Sequence, residues 1–355
     1  MENNAFLWEY LQSAKKPIVM YGTGDGADKI LSVMAHYELK PACFTASGDF
    51  GMKPRFRDYE VLTFDETERR FGDFIVLICF GSDKSPVLDR FYEIAQKHEV
   101  YAPDMPVVGE PLENFTPDYI EKNRDNLEKV RKMLADDRSK KVFDGWLDYR
   151  LSGKIDILES ISTPRAETIS LLKLKQDEFF IDAGAFNGDT VEEFITATSG
   201  KFTKIIAIEP DIKNYTALRR KFYAYGSGIF KPINAAAWNA DQQVEFIEKS
   251  GKAGTVGAGS SRPSAQINGM KIDTICGENK PTYIKIDVEG AEQQVLQGAK
   301  SVITKHKPKM IVSLYHRTED MHSLPILIHS MNQRYKFYLR KTRCLPGWEF
   351  NLIVV

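Results

Sequence analysis

Two short apolar runs, about 160 residues apart, each break at glycines and continue into a helical pattern. The first is Pro17-Ile18-Val19-Met20-Tyr21, followed by Gly22-Thr23-Gly24-Asp25-Gly26. The second is Phe179-Phe180-Ile181-Asp182, followed by Ala183-Gly184-Ala185-Phe186-Asn187-Gly188. A strand that turns on glycines into a helix opens a parallel α/β sheet. Occurring twice, it predicts two α/β domains, within the one to three that 355 residues permit. The predicted division is 1–112 for the N-terminal domain, 113–170 for a charged helical linker and 171–355 for the C-terminal domain.

The first domain reads as a small Rossmann-like parallel sheet. A helix is predicted over Ala27–Tyr37, strands at Pro41–Thr45 and Phe74–Phe80, and a helix at Leu88–Lys97. Over Pro117–Tyr149 the residues Leu127, Val130, Met133 and Leu134 form one apolar stripe. That predicts an amphipathic helix packed on a domain or on a second subunit, which leaves a homodimer open.

From Phe179 onward strands and helices alternate. Strands are predicted at Phe179–Ala183, Lys204–Glu209, Ile229–Ala237, Tyr283–Asp287 and Lys309–Leu314. Helices are predicted at Thr190–Thr198, Asp211–Tyr223, Gly290–Lys300 and Leu324–Asn332. The glycine-rich stretch Gly251–Arg262 reads as a loop. Tyr335–Arg340 and Trp348–Val354, joined through Pro346-Gly347, predict one antiparallel strand in a mainly parallel sheet.

Composition narrows the function. Lys+Arg number 48 and Asp+Glu 49, a net charge of −1, so no global basic field draws nucleic acid. The most apolar stretch, Phe74–Phe80, is far shorter than the roughly 20 residues a spanning helix needs. No secretory signal opens the chain, and a cytoplasmic protein is expected. Cys43, Cys79, Cys276 and Cys344 lack CxxC spacing, which points to reduced thiols. His306, His316, His322 and His329 are not at zinc spacing with cysteines, and no metal is expected. A magnesium site built on Asp287 is the remaining metal alternative.

Ligands of open α/β sheets bind beyond the carboxyl ends of the strands. Those ends carry Asp182 with Gly184 and Gly188, then Glu209, then Ala236 and Trp238, then Asp287. Glu209 lies 21 residues after Gly188, where an acid can accept hydrogen bonds from a ribose diol. Phe186 occupies the place of the second glycine of a dinucleotide fingerprint, and Asp182 would repel a phosphate. An acid there suits a cationic amino group. S-adenosylmethionine offers an ammonium, a sulfonium and a ribose diol, and no phosphate.

Three segments carry a family resemblance. Phe180-Ile181-Asp182-Ala183-Gly184-Ala185-Phe186-Asn187-Gly188-Asp189-Thr190 resembles motif I of the FkbM family of S-adenosylmethionine-dependent methyltransferases. Ile208-Glu209-Pro210-Asp211 is similar to the family's segment after the second strand. Ile272-Asp273-Thr274-Ile275, followed by Lys285-Ile286-Asp287-Val288-Glu289-Gly290-Ala291-Glu292, resembles its most distinctive stretch. Many members have Gly-Ala-Asn at positions 184–186, whereas this chain has Phe186 and carries its Asn at 187.

The resemblance covers roughly Phe179–Val355 and implies a class I methyltransferase fold with S-adenosylmethionine as cofactor. It implies a cofactor site of Asp182, Gly184, Asn187, Gly188, Thr190, Glu209, Ala236, Trp238 and Asp287. Asp182 would face the amino group, Glu209 the ribose, and Ala236 and Trp238 the adenine. Asp287 and His316 are the expected catalytic residues, orienting an acceptor hydroxyl or taking its proton. Lys285 and Glu289 read either as structural partners or as direct participants. The acceptor implied is a hydroxyl on a sugar, glycan or secondary metabolite.

Gly22-Thr23-Gly24-Asp25-Gly26-Ala27 satisfies G-x-G-x-x-A, but Phe44-Thr45-Ala46-Ser47 carries no ribose-binding acid. The alternative activity is therefore an NAD(P)-dependent oxidoreductase or a sugar-nucleotide-binding protein working through Gly22–Gly26. A scaffold or dimerisation role for this domain is a further reading.

Overall fold

The computed structural model describes residues 5–47, 53–109, 114–247, 255–256 and 264–355. Two parallel-dominated sheets organise the chain. The N-terminal sheet runs in the order Arg55–Phe56, Tyr59–Thr63, Cys43–Ala46, Ile18–Tyr21, Ile75–Ile78, Glu99–Tyr101. Only the first two strands pair antiparallel. The central strands Ile18–Tyr21 and Ile75–Ile78 are buried along their whole length, which is why they read as continuous apolar runs.

The C-terminal sheet has seven strands. Their order is Phe337–Lys341, Phe350–Val354, Lys309–Ser313, Tyr283–Ile286, Phe179–Ala183, Lys204–Ile208, Phe230–Ile233. Phe350–Val354 runs antiparallel to both of its neighbours, and all other pairs are parallel. The chain order reverses between Phe179–Ala183 and Tyr283–Ile286, the switch point at which α/β sheets open a ligand crevice. Behind that point Phe180 stacks on Tyr283 at 4.5 Å and on Phe194 at 4.6 Å.

Three expectations change in detail. The predicted strand Ile229–Ala237 splits into Phe230–Ile233, the edge of the large sheet, and Ala236–Ala237, part of a small four-stranded sheet. Pro232 has no N–H to offer a further strand, so the pairing ends there. Asn234 turns the chain by donating to the carbonyls of Glu209 and Pro210. The helix expected from Gly290 begins at Glu292, because Glu289 and Gly290 both have positive φ. Of the expected loop Gly251–Arg262, only Thr255–Val256 lies within the described residues, and it pairs with Gln242–Ile247.

The amphipathic stretch forms three helices, Pro117–Lys122, Arg124–Met133 and Asp137–Ser152. Asp136 stops the run by accepting from the Ser139 amide as an N-cap. The apolar face of Asp137–Ser152 lies on the C-terminal sheet. Trp146 stacks on Phe350 with ring centroids 4.1 Å apart, and the Tyr149 hydroxyl accepts from the Gly347 amide. A stacked aromatic pair adds about 0.5–1.5 kcal/mol beyond its area burial. Arg340, on the edge strand, pairs with Asp136 and Glu167.

The two sheets are coupled at the site end. The segment after Tyr101 carries Val107 and Val108, whose amides both donate to the His316 carbonyl. Lys29, in the helix Asp25–His36, donates to the carbonyls of Pro106 and Val107 at 2.7 Å each. Ser82 and Leu345 exchange backbone hydrogen bonds across the same seam. No helix among the described residues is long and apolar enough to cross a membrane. All four cysteines are buried, and none is in a disulfide.

Candidate active site

The site is built from the carboxyl ends of the central strands. Asp182 on Phe179–Ala183 lies in register with Lys285 on Tyr283–Ile286. Lys285 and Asp287 are two residues apart, so both point to the same side of their strand's end. The Lys285 ammonium sits 3.7 Å from Asp182 Oδ1 and 3.4 Å from Asp287 Oδ2. It also donates to the Gly184 carbonyl at 3.2 Å. One cation thus ties the glycine turn to two carboxylates. Burial alone would depress the Lys285 ammonium, but Asp287 and Asp182 more than offset this and raise its pKa.

Asp182 is fully buried, and neither carboxylate oxygen has a hydrogen-bond partner. Burial pushes its pKa up to about 7, only partly countered by Lys285. A buried carboxylate with both oxygens unsatisfied is costly unless a donor reaches it.

The glycine turn explains its own sequence. Gly184 has φ +85°, and a Cβ there would lie 1.8 Å from the Asp287 carbonyl oxygen. No other residue fits between the two strand ends. Phe186 also takes a positive φ, and its amide donates to Glu209 Oε2 at 2.8 Å. The other Glu209 oxygen accepts from the Asp211 amide at 2.9 Å. Glu209 therefore clamps the turn to the next strand end. Its pKa is raised, with burial outweighing those two amides.

The remaining expected residues fall as follows. Gly188 has φ +83°, and a Cβ there would meet Phe222 and Leu218. Asn187 is exposed, and its side chain accepts from the Asp189 amide. Thr190 bonds to the Asp189 carboxylate. Ala236 is buried and pairs with Gly269 in the small sheet. Trp238 is half-buried, its amide donates to Met270, and its carbonyl packs where a Gly298 Cβ would stand.

Beyond Asp287 the chain bends sharply. Glu289 has φ +53°, uncommon for a non-glycine residue, and Gly290 has φ +94°. The bend aims both carboxylates at one imidazole. His316, just beyond Lys309–Ser313, is fully buried. Its Nε2 is 3.5 Å from Asp287 Oδ1 and 4.0 Å from Glu289 Oε2, while Nδ1 is 2.8 Å from Glu292 Oε1. Burial would lower the imidazole pKa, but Glu292, Asp287 and Glu289 outweigh it and bring it to about 10. Asp287 is held below the usual carboxylate range. Burial pushes it up, and Lys285 and His316 outweigh that. Tyr315 donates weakly to Asp287 at 3.4 Å.

Glu292 had no assigned role in the sequence, although it closes the Asp287–Glu292 run. Its Oε1 accepts from the Val288 and Gly290 amides as well as facing His316. It therefore fixes both the bend and the ring. Asp182, Gly184, Lys285, Asp287, Glu289, Glu292 and His316 form one connected cluster, with Glu209 joined through the turn.

At the first glycine turn no such cluster exists among the described residues. A Gly26 Cβ would lie 2.2 Å from the Cys79 carbonyl, so this glycine lets the helix pack on its neighbouring strand. Asp25 and Asp28 occupy the first turn of that helix, where a pyrophosphate would meet like charge.

A central switch point in an otherwise parallel sheet, with the antiparallel strand Phe350–Val354 next to one edge, gives the C-terminal half a Rossmann-like architecture. Residues 182–335 match the family model described as the methyltransferase FkbM domain. A crystal structure of a methyltransferase FkbM from Methylobacillus flagellatus KT is similar over 100% of this chain and 96% of that one, with TM-score 0.72 and 20% identity. An rRNA methylase from Streptococcus thermophilus covers 54% of this chain and 92% of its own, with TM-score 0.34 and 11% identity. A precorrin-6y C5,15-methyltransferase from Geobacter metallireducens GS-15 covers 54% and 85%, also with TM-score 0.34 and 11% identity. No curated protein matches the chain.

Proposed function

We propose that the protein is an S-adenosylmethionine-dependent O-methyltransferase acting on a hydroxyl of a sugar, glycan or secondary metabolite. The observation that carries the cofactor is Asp182, a fully buried carboxylate at the switch point whose oxygens have no hydrogen-bond partner. Lys285 stands 3.7 Å away, beyond hydrogen-bond reach, and a ligand ammonium closer in would supply the missing donor. Gly184 and Gly188 keep the turn free of side chains, and the lone pairs of Glu209 not used by amides accept from a ribose diol. Trp238 and Ala236 are proposed to flank the adenine.

Bound there, S-adenosylmethionine supplies an electrophilic methyl carbon and a neutral thioether leaving group. The chain's own part is to place the acceptor and manage one proton. Asp287, partly exposed while His316 is sealed behind it, is the carboxylate that an incoming hydroxyl meets first. Lys285 and His316 hold it ionised and oriented, and Glu292 holds His316. An acceptor oxygen placed by Asp287 would take the methyl group in line as the thioether leaves. The hydroxyl proton passes to Asp287. Positioning and water exclusion supply most of the rate in such an in-line transfer.

The acceptor class rests on the family resemblance. The test is calorimetry of the whole chain with S-adenosylhomocysteine, followed by methyl transfer from labelled cofactor to a panel of hydroxylated sugars and secondary metabolites. The whole chain is required because Trp146 and Tyr149 pack on the C-terminal sheet. No binding of S-adenosylhomocysteine would refute the cofactor assignment. Label arriving on nitrogen or carbon rather than oxygen would refute the acceptor chemistry.

A further inference from the structure

One face of the C-terminal sheet changes character toward the site. Phe180, Tyr283, Ile311 and Ile353 belong to one apolar cluster on that face. Two residues nearer the site on each strand, the same face carries Asp182, Lys285, Ser313 and Asn351, all buried. Two residues further stand Asp287, Tyr315 and Glu349, all partly exposed. The Leu314 amide donates to the Phe350 carbonyl, which continues the antiparallel ladder and sets Tyr315 across from Glu349. The Tyr315 hydroxyl reaches Asp287, and Ser313 Oγ donates to Asn351 Oδ1, both at 3.4 Å. His316 Nε2, fully buried and without a hydrogen-bond partner, is aimed at Asp287 from the buried side. Burial raises the Glu349 pKa and the Asp287 charge adds to it, while Arg165 and Lys285 oppose both. Glu349 thus belongs to the same site as Asp287, and the methyl transfer outlined above leaves it without a role.

The N-terminal half fixes where Glu349 stands. Ser82 and Leu345 exchange backbone hydrogen bonds, and the Gly347 amide donates to the Tyr149 hydroxyl. The fully buried Lys341 ammonium donates to the carbonyls of Thr342 and Cys344 at 2.9 Å each. The Thr342 amide donates to the Glu349 carbonyl at 3.1 Å, and Glu349 itself has φ +57°. Next to it, the Trp348 indole lies so close to Gly81 that a Cβ there would stand 1.9 Å from the ring. A loop held at this many points presents its side chains in one geometry, which is what a binding site needs. Ligand sites also favour the seam between two domains.

We infer that Glu349 is the second acceptor-binding residue of the site, held by the Gly81–Trp348 contact, and that the acceptor is a six-membered ring with hydroxyls on two sides. Neighbouring strands lie about 4.8 Å apart, so Asp287 and Glu349, two strands apart, are roughly 10 Å apart at their backbones. One ring with a hydrogen bond at either end spans such a gap. The hydroxyl to be methylated lies on Asp287, and one across the ring donates to Glu349. Tyr315 stands on the strand between them. This inference deepens the proposed methyl transfer and rests on its assignment of Asp287 to the acceptor.

The probes are trans-cyclohexane-1,4-diol and cyclohexanol, which differ by one hydroxyl. Their affinities for the full chain are measured by ligand-observed NMR, with and without S-adenosylhomocysteine. The diol is expected to bind about tenfold more tightly, the low end for a hydrogen bond to a charged group. Glu349→Gln, at a partly exposed position, is expected to remove most of that preference and to leave S-adenosylhomocysteine affinity nearly unchanged. Gly81→Ala displaces the indole from outside the site and is expected to shrink the preference as well. If it does not fold, Glu349→Gln carries the test. Equal affinities for the two probes in wild type, or a preference that survives in Glu349→Gln, would overturn the inference. Full preference in a folded Gly81→Ala would overturn the part given to the N-terminal half. A chain that keeps the diol preference but binds no S-adenosylhomocysteine would sink the cofactor reading alone, so the two failures stay distinct.

Discussion

The two glycine turns begin alike in sequence and end in different chemistry. Both follow a buried central strand, and both contain a glycine that a Cβ would drive into a neighbouring strand's carbonyl. At Gly26 the carbonyl belongs to Cys79, and the close approach serves helix packing. At Gly184 it belongs to Asp287, and the close approach brings Asp182, Lys285 and Asp287 together. A glycine turn states that backbone comes near. What stands on the adjoining strand ends decides whether that nearness makes a site.

The sharpest way to break this contrast is Asp287→Asn. Loss of a group that manages the acceptor proton should lower turnover by roughly 10²–10⁴-fold, with S-adenosylhomocysteine affinity changed far less. Near-normal single-turnover rates would make Asp287 scaffold only. Next comes Gly184→Ala. The clash and the positive φ together should destabilise the fold by about 2–4 kcal/mol, measurable by urea unfolding, and abolish cofactor binding. A variant that binds S-adenosylhomocysteine normally would show that the turn does not hold the cofactor.

Glu209→Gln is smaller. A single amide oxygen replaces a carboxylate that accepts from Phe186 and Asp211, so affinity should fall by about 1.5–3 kcal/mol. An unchanged dissociation constant would move the ribose elsewhere. Asp182 gives a pH signature. In the free protein its pKa is about 7, with Lys285, Asp189, Asp287 and Glu209 acting on it. A ligand ammonium favours the ionised form, so binding below that pH releases a proton. Affinity for S-adenosylhomocysteine should rise as pH increases toward about 7, by at most tenfold per unit for one proton, and then level off. In Asp182→Asn this rise should vanish, and its persistence would assign the titration to another group. At the small end is Gly24→Ala. Gly24 is in extended backbone with open space where a Cβ would go, so stability and methyl transfer should shift by no more than about 0.5 kcal/mol. A large loss of methyl transfer would give the first turn a function.

Much of this was legible in the chain because strand ends are legible. Asp182, Glu209 and Asp287 terminate apolar runs, and the glycines mark where those runs turn. The reversed final strand was foreshadowed by Pro346-Gly347 between two apolar segments. Glu292 was not legible as the partner of His316. Its role depends on left-handed backbone at Glu289 and Gly290, which residue type alone does not announce. The Lys285 bridge needed strand register. The halving of Ile229–Ala237 hinged on Pro232, whose missing N–H was visible but whose edge position was not. The packing of Trp146 on Phe350 likewise joins residues that no local pattern links.

The strap through Val107 and Val108 has a consequence for how such a chain can vary. Its two amides are the backbone partners of the His316 carbonyl, and a Gly290 Cβ would stand 2.1 Å from Val108. A buried carbonyl needs a donor. Length changes between Tyr101 and Gly109, or a side chain at position 290, therefore act on the imidazole as directly as a change beside it. The N-terminal sheet and the histidine are parts of one mechanical frame, so the pair must be inherited, transplanted or redesigned together.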